Sequence, residues 1–188
     1  MTHLLHLDDS LFQIINLGCQ NTFFDWLMPL LRNKYVWYPA YLFLFSFLLA
    51  NFRKKGLLLV LAFAAAVSVS DFTSSQLLKK NIGRLRPCKV FERPAEIHLL
   101  VPCGSGYSFP SSHASNHFAM AVFLCLTLGK IYRRIRLPLL LWAVAVAFAQ
   151  VYVGVHFPLD VVAGGFWGTG IGFLIYWISR QHFQTLQD

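Results

Sequence analysis

Apolar runs of membrane-crossing length leave this chain few folds to adopt. Residues 35–52, 57–78, 137–157 and 159–179 each approach or exceed the roughly 20 residues of helix that a hydrocarbon core requires. A fifth run, residues 112–128, is shorter and more polar in its first turn but reads FAMAVFLCLTL thereafter. With 56% apolar and only 13% charged side chains in 188 residues, the chain is too apolar for an ordinary soluble domain. The expected fold is all-α: one membrane-embedded domain over residues 1–188, a polytopic bundle of five to six spans across residues 35–180.

Residues 1–34 read differently. Leu4, Leu5, Leu7, Leu11, Phe12, Ile14 and Ile15 are interrupted by Asp8, Asp9, Gln13 and Asn16, the pattern of an amphipathic helix lying at the interface. Residues 22–31 are too short to span alone and contain Asp25 and Pro29. A sixth crossing over residues 10–31 is the less favoured alternative. The N-terminus has no basic region followed by a clean apolar run, so no cleavable signal peptide is expected.

The net charge of +8 would suggest nucleic acid as the partner of a soluble protein. Here the spans exclude that class, and the expected anionic partner is a lipid headgroup. Arg53, Lys54 and Lys55 lie in one short loop, and Lys130, Arg133, Arg134 and Arg136 in another, which places both loops in the cytoplasm. With five spans, residues 79–111 and the junction at His156 then share the extracytoplasmic side. That outer loop nonetheless carries Lys79, Lys80, Arg84, Arg86, Lys89 and Arg93, a violation of the charge rule that reads as functional. A connection of this length, about residues 80–109, usually has a function or is disordered. Its prolines and glycines disfavour continuous helix, although a short helix near residues 95–100 is compatible with the pattern.

Three stretches carry chemistry: residues 79–87, 110–113 and 156–160. Phosphoryl transfer needs cations for the non-bridging oxygens, an in-line nucleophile and an acid for the leaving oxygen. Arg86 binds two phosphate oxygens at once, and Lys79 acts as a point charge. Ser111 and Ser112 read as a helix start whose free N–H groups add donors. His113 follows. His156 and Asp160 are four residues apart, so the carboxylate can hold one imidazole nitrogen while the other attacks phosphorus. Pro158 between them breaks the helix at this junction.

K-x6-R-P at Lys79, Arg86 and Pro87, P-S-S-H at 110–113 and H-x3-D at His156 and Asp160, in this order between spans, closely resemble the type 2 phosphatidic acid phosphatase family over about residues 57–180. The resemblance implies a membrane lipid phosphatase that uses no metal and no cofactor. His156 would be the nucleophile, Asp160 its orienting acid and His113 the acid for the leaving group. Lys79, Arg86, Ser111 and Ser112 would hold phosphate. Two of the motifs depart from the family pattern. Ser112 replaces a glycine, a mild change if only its N–H is used. Ala149 and Gln150 replace Ser-Arg, which removes a cation; Gln150 offers only a neutral donor to phosphate. Arg84, Lys80 or another loop cation is expected to substitute.

Single histidines are more often satisfied structural groups than catalytic ones, and His3, His6, His98 and His182 are assigned no role. His117 either lines the pocket or packs quietly. Asp71, inside a span, either leads a polar seam to the site or makes a helix-packing hydrogen bond. The glycines of residues 164–172 are expected to permit close helix contact. Cys88 and Cys103, both in the outer loop, are expected to form a disulfide over the site, with Cys19 and Cys125 free.

These readings together describe a phosphatase of the bacterial inner membrane facing the periplasm. Candidate substrates are undecaprenyl diphosphate, phosphatidylglycerol phosphate, phosphatidic acid and a lipid A phosphate. Transfer to an acceptor other than water is one rival, and a non-catalytic lipid-phosphate binder or transporter is another. A binder would have little use for an imidazole with a carboxylate behind it.

Overall fold

The computed structural model describes residues 2–91 and 96–182, and among them the regular elements are helical. This is the outcome expected in lipid, where a spanning helix satisfies its own backbone polar groups. The elements are α1 (Thr2–Asn16), α2 (Thr22–Arg32), α3 (Tyr38–Phe72), α4 (Lys79–Ile82), α5 (Pro87–Val90), α6 (Ser112–Leu126), α7 (Leu128–Ile131), α8 (Arg136–Tyr152) and α9 (Pro158–Ser179). A π-helical segment, Thr73–Leu78, joins α3 to α4, and a 3-10 turn, Lys34–Trp37, leads into α3. Among the described residues three helical stretches qualify as membrane spans by length and apolarity: Lys34–Val90, Arg133–Tyr152 and Pro158–His182.

The first of these stretches is folded in two. Arg53 has non-helical angles (φ 50°, ψ −121°) in the middle of α3. The Phe45 and Phe63 rings lie 5.8 Å apart, whereas a straight helix would separate these residues by about 27 Å. The chain therefore reverses at Arg53, and its two legs pack as a hairpin. Phe47 on the first leg meets Tyr132 (6.1 Å), so the turn at Arg53 and the basic stretch 130–136 share one end of the bundle. Leu48, Leu59, Phe63, Met120, Phe123 and Leu124 form the core near that end.

At the opposite end, α6 and α9 approach each other closely because α9 presents glycine at every fourth residue to α6. A Cβ on Gly164, Gly168 or Gly172 would come within 2.5, 2.0 or 2.6 Å of the carbonyl oxygens of Ser111, Ser115 and Ala119. No other residue type permits this spacing. It brings the start of α6 against the first turn of α9, where the Ser111 N–H donates to the Asp160 carbonyl (2.9 Å).

Helix α1 lies across this end with its polarity turned inward. Asp8, Phe12 and Asn16, at helical spacing of four, are buried, while Leu4, Leu5, Leu7, Leu11 and Ile14 are exposed. Two of the polar residues that seemed to interrupt an apolar face, Asp8 and Asn16, contact the protein, whereas Gln13 is exposed. Asn16 donates through Nδ2 to the carbonyls of His98 (2.8 Å) and Tyr152 (2.7 Å) and accepts from the His98 N–H (2.7 Å). Helix α2 packs along α8, with Phe24 against Phe148 and Tyr152, and Met28 in a cluster with Ala149 and Val153. The Tyr152 hydroxyl and His98 both bond Asp25 (2.7 and 2.9 Å), and these bonds hold the Asp25 carboxyl below its usual range, the hydroxyl first.

Three local expectations are corrected. Helix α8 ends at Tyr152 rather than Phe157, and the residue that turns the chain is Gly154 at φ 85°. Pro158 does not break a helix but starts α9 at a position where proline's missing N–H costs nothing. Residues 97–100 are not helical; residue 95 of the expected short helix, and Arg93, lie outside the described residues. Asp71 accepts from Asn116 (2.9 Å), and the Ser70 and Ser115 hydroxyls are 2.7 Å apart, so the polar residues of α3 here bond to α6.

Candidate active site

The junction between α8 and α9, residues 153–157, carries His156 into the bundle, where it is 2% exposed. Its Nδ1 faces the Asp160 Oδ2 at 3.4 Å, and its Nε2 faces the Arg86 Nη1 at 3.2 Å. Asp160 is an acceptor and Arg86 a donor, so this pair of neighbours selects the tautomer with the proton on Nδ1 and the lone pair on Nε2. Burial lowers the His156 pKa to about 4 against the pull of Asp160, and the imidazole is neutral at ordinary pH. A neutral ring with a directed lone pair is the form that attacks phosphorus.

Asp160 is fully buried at the third position of α9 and is fixed from three sides. Oδ2 accepts the Phe157 N–H (2.9 Å), capping the start of α9, and Oδ1 accepts from Arg84 Nη1 (2.9 Å). Arg84 Nη2 continues to Asp8 Oδ2 (2.6 Å), and Asp8 Oδ1 accepts the Leu159 N–H (2.8 Å). The guanidinium also lies 4.1 Å over the Phe157 ring. Burial raises the Asp8 pKa, opposed by the Leu159 N–H and by Arg84. A continuous bridge thus runs from α1 through Arg84 to Asp160.

Arg86 is held by the outer loop: Nε donates to the Gly106 carbonyl (3.0 Å) and Nη1 to that of Val155 (3.1 Å). The structure joins Cys88 to Cys103 by a disulfide (Cα–Cα 5.9 Å) and leaves Cys19 and Cys125 free. Leu100 N–H reaches the Val153 carbonyl at 3.4 Å, and Lys89 Nζ donates to Ser105 O (2.7 Å), so the loop is tied both to itself and to the junction bearing His156. Lys79 follows the π-helical segment, whose wide turn changes the face on which later residues project. Lys79 lies near enough for its charge to act on His113, and Arg86 and Asp160 near enough to act on Lys79.

Ser111 caps α6, its Oγ accepting the Ala114 N–H at 3.4 Å, so the N–H groups of Ser112 and His113 open the helix. The Ser112 hydroxyl is buried without a hydrogen-bond partner. The His113 ring makes no hydrogen bond to the described residues. His117 sits one turn on, Nδ1 donating to the His113 carbonyl (2.8 Å) and its ring 4.7 Å from that of Trp142, while its Nε2 is buried without a partner among the described residues. Gln150 is fully buried, and neither atom of its amide has a partner among the described residues.

Of the cations expected to replace the missing motif arginine, Arg84 is committed to two carboxylates and Lys80 is exposed. Asp8, Asn16 and Arg32 were not anticipated. The first two sit in a segment whose polar residues looked like interruptions, and Arg32 ends a helix read as interfacial.

A family model for the PAP2 superfamily matches residues 53–184, the stretch containing all three motifs. The chain belongs to that superfamily. Among curated relatives, a lipid A 4'-phosphatase of Bacteroides thetaiotaomicron is 33% identical over 188 residues, covering 98% of this chain and 82% of the relative. An undecaprenyl-diphosphatase of Sulfolobus acidocaldarius is 36% identical over 168 residues, 88% of this chain and 75% of the relative. The crystal structure of Aquifex aeolicus LpxE superposes with a TM-score of 0.65 at 30% identity, covering 88% of this chain and 92% of that one. A PAP2-type phosphatidylglycerolphosphate phosphatase from Bacillus subtilis shares the fold, with a TM-score of 0.72 at 22% identity over 98% of this chain and 90% of that one. This PAP2 protein is a membrane lipid phosphatase, a hydrolase of phosphoric esters or anhydrides.

Proposed function

We propose that the chain removes phosphate from a membrane lipid through a phosphohistidine formed on His156. The observation that carries this reading is the His156 ring itself: buried, neutral, with Nδ1 on Asp160 and Nε2 toward the cation that would bind phosphate. In the first step Nε2 attacks phosphorus, the bond from phosphorus to the leaving oxygen breaks, and His113 gives that oxygen its proton. In the second, water attacks phosphorus, His113 takes the water's proton, the P–N bond breaks and inorganic phosphate leaves. Lys79, Arg86 and the N–H groups opening α6 hold the non-bridging oxygens, and the Ser112 hydroxyl and Gln150 amide add neutral donors.

The substrates favoured are a lipid A phosphate and undecaprenyl diphosphate, the chemistry named for the relatives that align along most of the chain. An apolar cleft of about 430 Å³, walled by Ile15, Val151, Pro158, Val161 and Phe166, lies beside the His156 junction and suits the hydrocarbon part of such a lipid. Five crossings are proposed: the two legs of α3, then α6, α8 and α9, with α1 and α2 at the interface. The basic stretches at Arg53 and at 130–136 then lie in the cytoplasm, and the site faces the outer side of a bacterial inner membrane.

The test is phosphate release by purified protein from a panel of lipid phosphates and diphosphates, with chelator present. Release by wild type that disappears in His156→Ala supports the reading. Equal release by both proteins refutes it.

A further inference from the structure

Helix α2 ends in an arginine that nothing in the proposed mechanism uses. Met28, one turn before it, packs with Ala149 and Val153 on either side of Gln150. Trp37, five residues after it, packs edge-on against Trp142 at 5.3 Å, and Trp142 in turn touches His117, one turn from His113. Arg32 is thereby carried between the Gln150 level of α8 and the start of α6. Its charge acts on His113, and the charge of Arg86 acts on it.

Among the described residues the guanidinium has no counter-charge. Its Nε is buried without a hydrogen-bond partner, and among the described residues no carboxylate pairs with it. Arg84 has two carboxylates and Arg86 feels Asp160, so Arg32 differs from the other arginines near the site. Burial, and then the Arg86 charge, press its pKa down. Beside this region lies the Gln150 amide, fully buried with both polar atoms unpaired. A buried unpaired guanidinium nitrogen and a buried unpaired amide are costly unless a ligand satisfies them.

We propose that Arg32 binds the phosphoryl group of the substrate, supplying from α2 the cation that position 150 does not supply. The proposal rests on the phosphatase reading and extends it: Arg32 joins Arg86 in gripping phosphate, and the unpaired Gln150 amide adds a neutral donor. Docking of α2 on α8 then becomes a condition of activity, and the specificity is for a compact dianionic group that bridges two guanidinium ions.

The experiment compares full-length wild type, Arg32→Gln, Arg32→Lys and the double variant Arg32→Gln with Gln150→Arg. It measures kcat and KM on a lipid phosphate, inhibition by orthovanadate as a phosphate mimic, and thermal midpoint. Loss of one charged hydrogen-bonding partner should lower kcat/KM and weaken vanadate inhibition by about 10- to 100-fold in Arg32→Gln. Arg32→Lys should keep part of both, and the double variant should regain at least about tenfold of the vanadate inhibition. Unchanged vanadate inhibition in Arg32→Gln overturns the proposal, as do equal losses in the Lys and Gln variants that track a lowered thermal midpoint without rescue. If wild type and His156→Ala are equally inactive, it is the phosphatase reading that fails instead.

Discussion

Gly168→Ala tests how the α6–α9 contact builds the site. The added Cβ would lie 2.0 Å from the Ser115 carbonyl oxygen, 2.7 Å from its carbon and 2.9 Å from its Cα, all backbone atoms that no rotamer change can move. Restoring an ordinary contact near 3.4 Å requires α9 to withdraw from α6 by about 1.4 Å. Alanine gains up to about 1 kcal/mol over glycine in helix propensity, while overpacking costs about 1 to 3 kcal/mol, so the net loss of stability should be small. The effect on catalysis should be larger. Asp160 and His156 ride on the start of α9, and Ser111 and His113 on the start of α6, so the withdrawal separates nucleophile from leaving-group acid. A misplacement of about 1 Å is worth about 100-fold in rate. Phosphate release should therefore fall by one to two orders of magnitude with only a few degrees of change in thermal midpoint. Gly170→Ala, where an added Cβ meets nothing within 4 Å, is the matched control and should behave as wild type. Wild-type turnover by Gly168→Ala would refute the reasoning.

Other outcomes follow from the same contacts. Asn16→Ala removes three hydrogen bonds to His98 and Tyr152 and should lower stability by about 2 to 4 kcal/mol, measured by chemical denaturation in detergent. Asp8→Ala takes from Arg84 one of its two carboxylates and from the Leu159 N–H its acceptor; about 3 kcal/mol of stability and a reduced kcat are expected, whereas unchanged kinetics would remove α1 from the account. Reduction of Cys88–Cys103, which closes a 15-residue separation, should cost about 3 kcal/mol and loosen Arg86; a melting curve and activity insensitive to reductant would contradict this.

Much of the site was legible in the sequence because its chemistry demands particular residue types. His156, Asp160, His113, Lys79 and Arg86 stand out at the ends of apolar runs, where such groups are expensive without a task. The glycines of α9 also announced a close helix contact. What was not legible depends on which way a short helix faces. Asp8 and Asn16 looked like breaks in a lipid-facing surface, and their inward direction follows only from partners 76 to 151 residues away in the chain. Arg32 was hidden for the same reason: nothing local says that α2 docks on α8. The end of α8 was misplaced because proline at 158 is a stronger local signal than glycine at 154, yet the positive φ at Gly154 is what turns the chain.

The central claim is that His156 carries the phosphoryl group. Rapid mixing of purified protein with a phosphorylated lipid substrate, a quench at neutral or alkaline pH that preserves phosphohistidine, and peptide mass spectrometry test it most directly. The account predicts one added phosphoryl group on the peptide containing His156, labile to acid and absent from Asp160→Ala, whose imidazole has lost its orienting carboxylate. Turnover of the substrate with no modification at His156 under any quench time, or a phosphoryl group found on another residue, would contradict it.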